Sequence, residues 1–191
     1  LPAFGWRGIF WLLAIYGATM LTVIALFLPE SLPEERRRRD GLFEVVRVWR
    51  GLLGNRRFVG HALTGGFIIG GMFAYISGSP FVFMELHGVK AEHFGFYFGA
   101  NALGIMVMGQ VVGRLAQRIA PVRLLPVVIW VPFVAGLALL FVSATGIGGF
   151  VALLVTLFGY IAMIGAVMPL TVALGMGPHG AVAGSASALM G

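Results

Sequence analysis

The feature that most constrains this chain is a series of long apolar runs. The first, residues 9–28, holds no charged side chain, and about 20 apolar residues suffice for a helix to cross a bilayer. Of all residues 59% are apolar and 10% charged, whereas a soluble domain carries about a quarter charged residues. We therefore predict an all-α integral membrane protein, a polytopic helical bundle. Four further full runs cover residues 58–84, 94–112, 124–145 and 147–176, and part of a sixth covers 181–191.

The segment 29–57 is the one long polar connection between these runs. It opens with acidic residues and continues with a run of arginines at 36–39. Residues 42–53 within it place apolar side chains on one face of a helix, which predicts a short amphipathic helix on the membrane surface. Those apolar side chains are Leu42, Val45, Val46, Trp49 and Leu53.

The basic residues predict the orientation of the bundle. If the five spans are antiparallel and segment 29–57 is cytoplasmic, all 13 Lys and Arg residues except Arg7 and Lys90 lie on the cytoplasmic side. Cytoplasmic loops of membrane proteins carry such an excess. We interpret the arginine run chiefly as this orientation signal. A specific anionic-lipid site is the alternative, and nucleic acid is not expected as a partner.

Catalytic signatures are missing from the sequence. It has no cysteine, which excludes disulfides, thiolate catalysis and Cys-ligated metal. It contains no HExxH, GxSxG or phosphate-binding loop, and no Asp, Glu, Lys or Arg near the middle of a span. We therefore predict that the chain is not an enzyme, and we expect no cofactor and no metal site.

The second span is interrupted by helix breakers. Proline has no backbone N–H, so with Pro80 in the helix the carbonyl near Ile76 is expected to lose its hydrogen-bond donor. A Gly- and Pro-interrupted span points to a transport pathway, with a packing kink between close helices as the alternative. The predicted hinge residues are Gly70, Gly71, Gly78 and Pro80.

Aromatic and polar side chains gather around this break and on the next span. Aromatic walls with few polar groups suit hydrophobic ligands, although ordinary helix packing explains aromatic residues equally simply. Asn101, a buried amide, is expected either to bond another helix or to contact substrate, and Phe83 is expected at the membrane interface. The predicted cavity-lining residues are Phe73, Tyr75, Ser79, Phe81, Tyr97 and Asn101.

Four motifs, in order, carry a resemblance to a known family. Residues 5–11 (GWRGIFW) and 28–32 (LPESL) resemble the sixth helix of drug exporters of the major facilitator superfamily. Residues 71–82 (GMFAYISGSPFV) and 94–101 (FGFYFGAN) resemble the seventh and eighth helices of its bicyclomycin and chloramphenicol resistance (Bcr/CflA) subfamily. Residues 178–189 (PHGAVAGSASAL) are similar to the start of the eleventh.

The resemblance implies a partial major facilitator fold. Residues 1–28 would be the last helix of the N-terminal half, 29–57 the cytoplasmic linker, and 58–191 a truncated C-terminal half. The missing N-terminal half would carry the proton-coupling group. The implied function is multidrug efflux and antibiotic resistance, by proton antiport of small hydrophobic drugs in the bacterial cytoplasmic membrane, with lipid as a further partner. A metabolite carrier and a non-transporting membrane scaffold are the alternatives.

Overall fold

The computed structural model describes residues 5–28 and 42–190, and these divide into two compact units. In the first unit, helix α1 (Arg7–Phe27) exposes nearly all of its apolar side chains. The hydroxyls of Thr19 and Thr22 each donate 2.8 Å hydrogen bonds to carbonyls one turn earlier. Their polar groups are therefore satisfied within the helix, as an apolar environment requires.

The second unit contains the remaining helices. With α1, the described chain has five helices that are long and apolar enough to span a membrane, which confirms the predicted count and the all-α class. Each predicted span is present, with ends shifted by a few residues, and the predicted amphipathic segment is helical; the arginine run at 36–39 lies outside the described residues. The helices are α2 (Leu42–Gly54), α3 (Arg56–Pro80), α4 (Ala91–Ala116), α5 (Pro121–Val128), α6 (Trp130–Thr145), α7 (Gly149–Ala162), α8 (Ile164–Met176) and α9 (Ala183–Met190).

Two irregularities of the backbone follow directly from prolines. Pro132 has no N–H to donate to the carbonyl of Val128, and the regular helix is interrupted between Val128 and Trp130. The two helices on either side, α5 and α6, together make one span. After Pro80, α3 continues as a π-helical turn, Phe81–Leu86. The predicted interruption of the second span is thus a change of helical type.

The core of the second unit is built around α7 and α8. Side chains of α8 such as Val167 are fully buried, and α8 packs against α3, α4 and α5. Gly165 lies directly against the backbone of Ile105, and a Cβ at Gly104 would lie 2.7 Å from the ring of Phe158. Small residues let membrane helices approach this closely, and dispersion forces then hold them together.

Neighbouring contacts fix the relative directions of the spans. Gly65 lies near Thr171 whereas Gly71 meets Tyr160, so α3 runs antiparallel to α7 and α8. Gly104 meets Phe158 and Gly109 meets Gly165, so α4 runs parallel to them. The start of α3 and the end of α4 therefore share one end of the unit. We call it the arginine-rich end, because it carries Arg56, Arg57, Arg114, Arg118 and Arg123.

Candidate functional site

The predicted site is organised by one polar pair between α3 and α4. The amide nitrogen Nδ2 of Asn101 donates to the hydroxyl of Tyr75 and to the backbone carbonyl of Tyr97, both at 3.1 Å. Asn101 is 5% exposed and Tyr75 8%. The predicted interhelical hydrogen bond of Asn101 is therefore present, and it joins two residues predicted to line a cavity.

A small cavity lies beside this pair, between α3, α4 and α7. Its volume is about 160 Å³, and Ile161 of α7 contributes to its wall. The ring of Phe98 stacks on Tyr75 with centroids 5.5 Å apart and planes 17° apart. The wall is thus aromatic and aliphatic, with Asn101 and the Tyr75 hydroxyl as its polar groups.

A larger cavity of about 350 Å³ lies on the other side of Tyr75, between α3, α6 and α7. Its wall is mostly apolar and includes Ser79, Ser143 and Tyr160. Ser79 is 4% exposed, and its hydroxyl has no hydrogen-bond partner among the described residues. The same holds for Oδ1 of Asn101. Because buried polar atoms are normally paired, these two oxygens are available to a group outside the described residues.

Phe83 is buried, and the prediction of an interfacial position for it is wrong. Its side chain is 0% exposed, and its ring packs edge-on against Phe94, Tyr97 and Phe150 at 5.6–5.9 Å between centroids. The physical reason is spacing: Tyr75, Ser79 and Phe83 are four residues apart and so share one helical face. This aromatic cluster closes the end of the unit opposite the arginine-rich end.

The other predicted cavity residues are more exposed than Tyr75, Ser79 and Asn101. Phe73 is 60% exposed and Phe81 52%. Phe73 precedes Tyr75 by two residues, which places it about 200° away around the helix. Tyr97 is half-buried and contributes its backbone carbonyl to the polar pair. The structure thus brings Tyr75, Tyr97 and Asn101 together with Ser79, and turns the two phenylalanines outward.

Among the predicted hinge residues, Gly71 has a packing role. A Cβ at Gly71 would overlap the hydroxyl and ring of Tyr160, whereas Gly70 and Gly78 have open space beside them. Tyr160, which the sequence reasoning missed, therefore reaches from α7 to the backbone of α3 at the wall of the larger cavity. In the sequence, Tyr160 is marked only by being a single tyrosine within an apolar run.

Five helices long and apolar enough to span a membrane, with apolar cavities between those of the second unit, define the class: a multi-pass membrane protein. The model of the Major Facilitator Superfamily matches residues 1–191. The chain belongs to this superfamily, whose members are transporters and not enzymes. The superfamily predicted from the four motifs is confirmed.

Three curated proteins match the chain over 73% or more of its length. The chain is 39% identical over its full length to the "Uncharacterized MFS-type transporter YdgK" of Bacillus subtilis (strain 168), covering 47% of that protein. It is 30% identical over 147 residues, 73% of the chain and 34% of the relative, to the "Multidrug transporter MdfA" of Edwardsiella piscicida. It is 21% identical over 145 residues, 76% of the chain and 36% of the relative, to the "Bicyclomycin resistance protein homolog" of Haemophilus influenzae. The chain thus spans less than half the length of these relatives.

Proposed function

We propose that the full-length protein exports small hydrophobic compounds in exchange for protons, by alternating access, across the bacterial cytoplasmic membrane. Residues 1–28 would end its N-terminal half, 29–57 would form a cytoplasmic linker, and 58–191 would belong to its C-terminal half. The observation that carries the proposal is the pair of mainly apolar cavities on either side of Tyr75. Two relatives bear names of the same kind, a multidrug transporter and a bicyclomycin resistance homologue, which supports a Bcr/CflA-like exporter.

The character of the cavity walls favours a hydrophobic substrate. Aromatic and aliphatic walls bind apolar molecules by desolvation, and a few polar groups set their orientation. Here the polar side chains are uncharged: Tyr75, Ser79, Asn101, Ser143 and Tyr160. A strongly polar solute would lose its hydration in such a cavity and find few hydrogen-bond partners in return.

Proton coupling requires an ionisable group within the membrane. Residues 58–84, 94–112, 124–145 and 147–176 contain no Asp, Glu, Lys or Arg, and their one histidine, His61, lies in the second turn of α3, near the arginine-rich end. We therefore assign proton coupling to the part of the protein that the relatives have and this chain does not cover, and substrate contact to the region of Tyr75 and Asn101.

The test is antibiotic susceptibility of an efflux-deficient bacterium that expresses the full-length gene. Chloramphenicol, bicyclomycin and a panel of lipophilic cations sample the hydrophobic substrates. We expect raised tolerance to some of them, and loss of export from preloaded cells when a protonophore is added. Unchanged tolerance and unchanged drug accumulation, with the protein verified in the membrane, would contradict drug export. Uptake assays would then test the alternative of a metabolite carrier.

A further inference from the structure

Helix α2 is held at the arginine-rich end of the second unit. It is joined to α3 through Asn55, whose side-chain oxygen accepts hydrogen bonds from the backbone N–H groups of Arg57 (3.0 Å) and Phe58 (3.3 Å). Leu52 of α2 packs against Phe58 and Ala186 of α9, and all three are nearly fully buried. Because the end of a spanning helix reaches the boundary between hydrocarbon and headgroups, we expect α2, which is fixed to such an end, at that depth.

A second apolar face of α2 remains exposed. Val46, Trp49 and Leu53 are spaced three and four residues apart, which places them on one side of the helix. They are 52%, 38% and 59% exposed. Helix α2 is therefore apolar on two adjacent sides, of which one packs on the protein and the other is uncovered in the part of the chain that the structure describes.

Positive charge borders this exposed face. Arg50 is four residues after Val46 and so extends the same side of α2, and Arg56 and Arg57 are exposed in the first turn of α3. Glu44, the single acidic residue of 42–57, pairs with Arg47 at 3.0 Å. The local acidic charge is thus directed to Arg47, and Arg50, Arg56 and Arg57 supply the positive charge beside the exposed face.

We infer that α2 and the first turn of α3 form a binding site for anionic phospholipids of the adjacent leaflet. Val46, Trp49 and Leu53 insert among the first carbons of the acyl chains, where tryptophan is favoured. Arg50, Arg56 and Arg57 bond the phosphate groups, for which the guanidinium geometry is suited. This site is separate from the cavities around Tyr75, and its occupancy does not depend on which compound is transported.

The experiment places a photo-crosslinking benzophenone amino acid at position 53 of the full-length transporter in nanodiscs of phosphatidylcholine and phosphatidylglycerol. Mass spectrometry of the adducts measures the preference for phosphatidylglycerol relative to its share of the bilayer. We expect a clear preference, which falls about fivefold in Arg50→Gln and further when Arg56→Gln and Arg57→Gln are added, as the usual contribution of a juxtamembrane arginine implies.

Two controls separate this site from general charge effects. Lys90→Gln removes a cation from the opposite end, and the double substitution Glu44→Gln with Arg47→Gln leaves the net charge of α2 unchanged. Both should keep the preference, and a crosslinker at position 44 should yield fewer lipid adducts than one at 53. Equal labelling of both lipids in the unsubstituted transporter, or adducts from position 53 to protein instead of lipid, would overturn the inference.

Discussion

The amide of Asn101 donates to the hydroxyl of Tyr75, 26 residues earlier in the chain, and thereby ties α4 to α3. The bond lies between the two cavities, since Tyr75 contributes to both walls. Asn101 therefore has a packing role, and its place in a cavity wall is the basis for proposing substrate contact as well. Any substitution there should change the stability of the unit as well as its binding properties.

Stability measurements can isolate the bond. We expect Tyr75→Phe and Asn101→Ala, combined in a double-mutant cycle on the full-length protein, to show a coupling free energy of about 0.6 kcal/mol, typical of hydrogen bonds between membrane helices. Thermal unfolding in detergent, compared among the single and double variants, provides the measurement. Strictly additive effects would show that the bond contributes nothing to the fold.

The contact between Gly71 and Tyr160 predicts an asymmetric response to alanine. A methyl group at Gly71 would overlap the Tyr160 ring, so Gly71→Ala should destabilise the protein by about 1–3 kcal/mol, the usual cost of overpacking. The neighbouring Gly70→Ala, which meets open space, is the matched control. Adding Tyr160→Ala should relieve the overlap. If Gly70→Ala and Gly71→Ala lower the melting temperature equally, the close contact between Gly71 and Tyr160 is contradicted.

Gly165 should be still less tolerant, because the group against it is backbone. A Cβ there would overlap the carbonyl of Ile105, which cannot rotate away as a side chain can. We expect Gly165→Ala to cost about 3 kcal/mol or more and to lower the yield of folded protein. Gly113→Ala, at a position of α4 with open space, should express normally. Normal folding of Gly165→Ala would contradict the close approach of α4 and α8.

Exposed Phe73 allows a test of substrate contact without a change in packing. If it faces the transport pathway, Phe73→Ala should raise the apparent KM for drug transport roughly two- to tenfold, the equivalent of one lost aromatic contact. Phe67→Ala, at a still more exposed position of α3, should transport normally, and both variants should unfold at the unsubstituted temperature. Normal transport by Phe73→Ala would remove this residue from the proposed site.

Pro80 offers a test of the proposed hinge. Alanine at this position restores a backbone donor for the carbonyl of Ile76 and should extend regular α-helix into the π-helical turn. We expect Pro80→Ala to lower the turnover rate of transport while drug affinity and folding are retained. Pro132→Ala, which repairs the break between α5 and α6, is the control outside the proposed pathway. Unchanged turnover of Pro80→Ala would assign the π-helical turn to packing alone.

Much of the fold could be read from the sequence because its determinants are local. A span requires only a sufficient run of apolar residues, and the irregularity predicted around Pro80 follows from a missing N–H. The prediction that Asn101 forms a hydrogen bond outside its own helix likewise follows from the presence of one amide in an apolar run. The spacing of Phe83 from Tyr75 and Ser79 places all three on one face, but which face is buried depends on which helices become neighbours. The approach of Tyr160 to Gly71 depends on the same choice of neighbours.

The sequence by itself determined the number of spans, the clustering of arginines and the superfamily. Only the tertiary structure decided that Tyr75 is buried against Asn101 while Phe73, two residues away, is exposed. The physical reason is the solvent. In water, a helix marks its buried face by apolar periodicity, but lipid is as apolar as the protein interior, so both faces of a membrane helix can carry the same residues. Which face is buried is then set by the fit of neighbouring helices, as at Gly71 and Gly165.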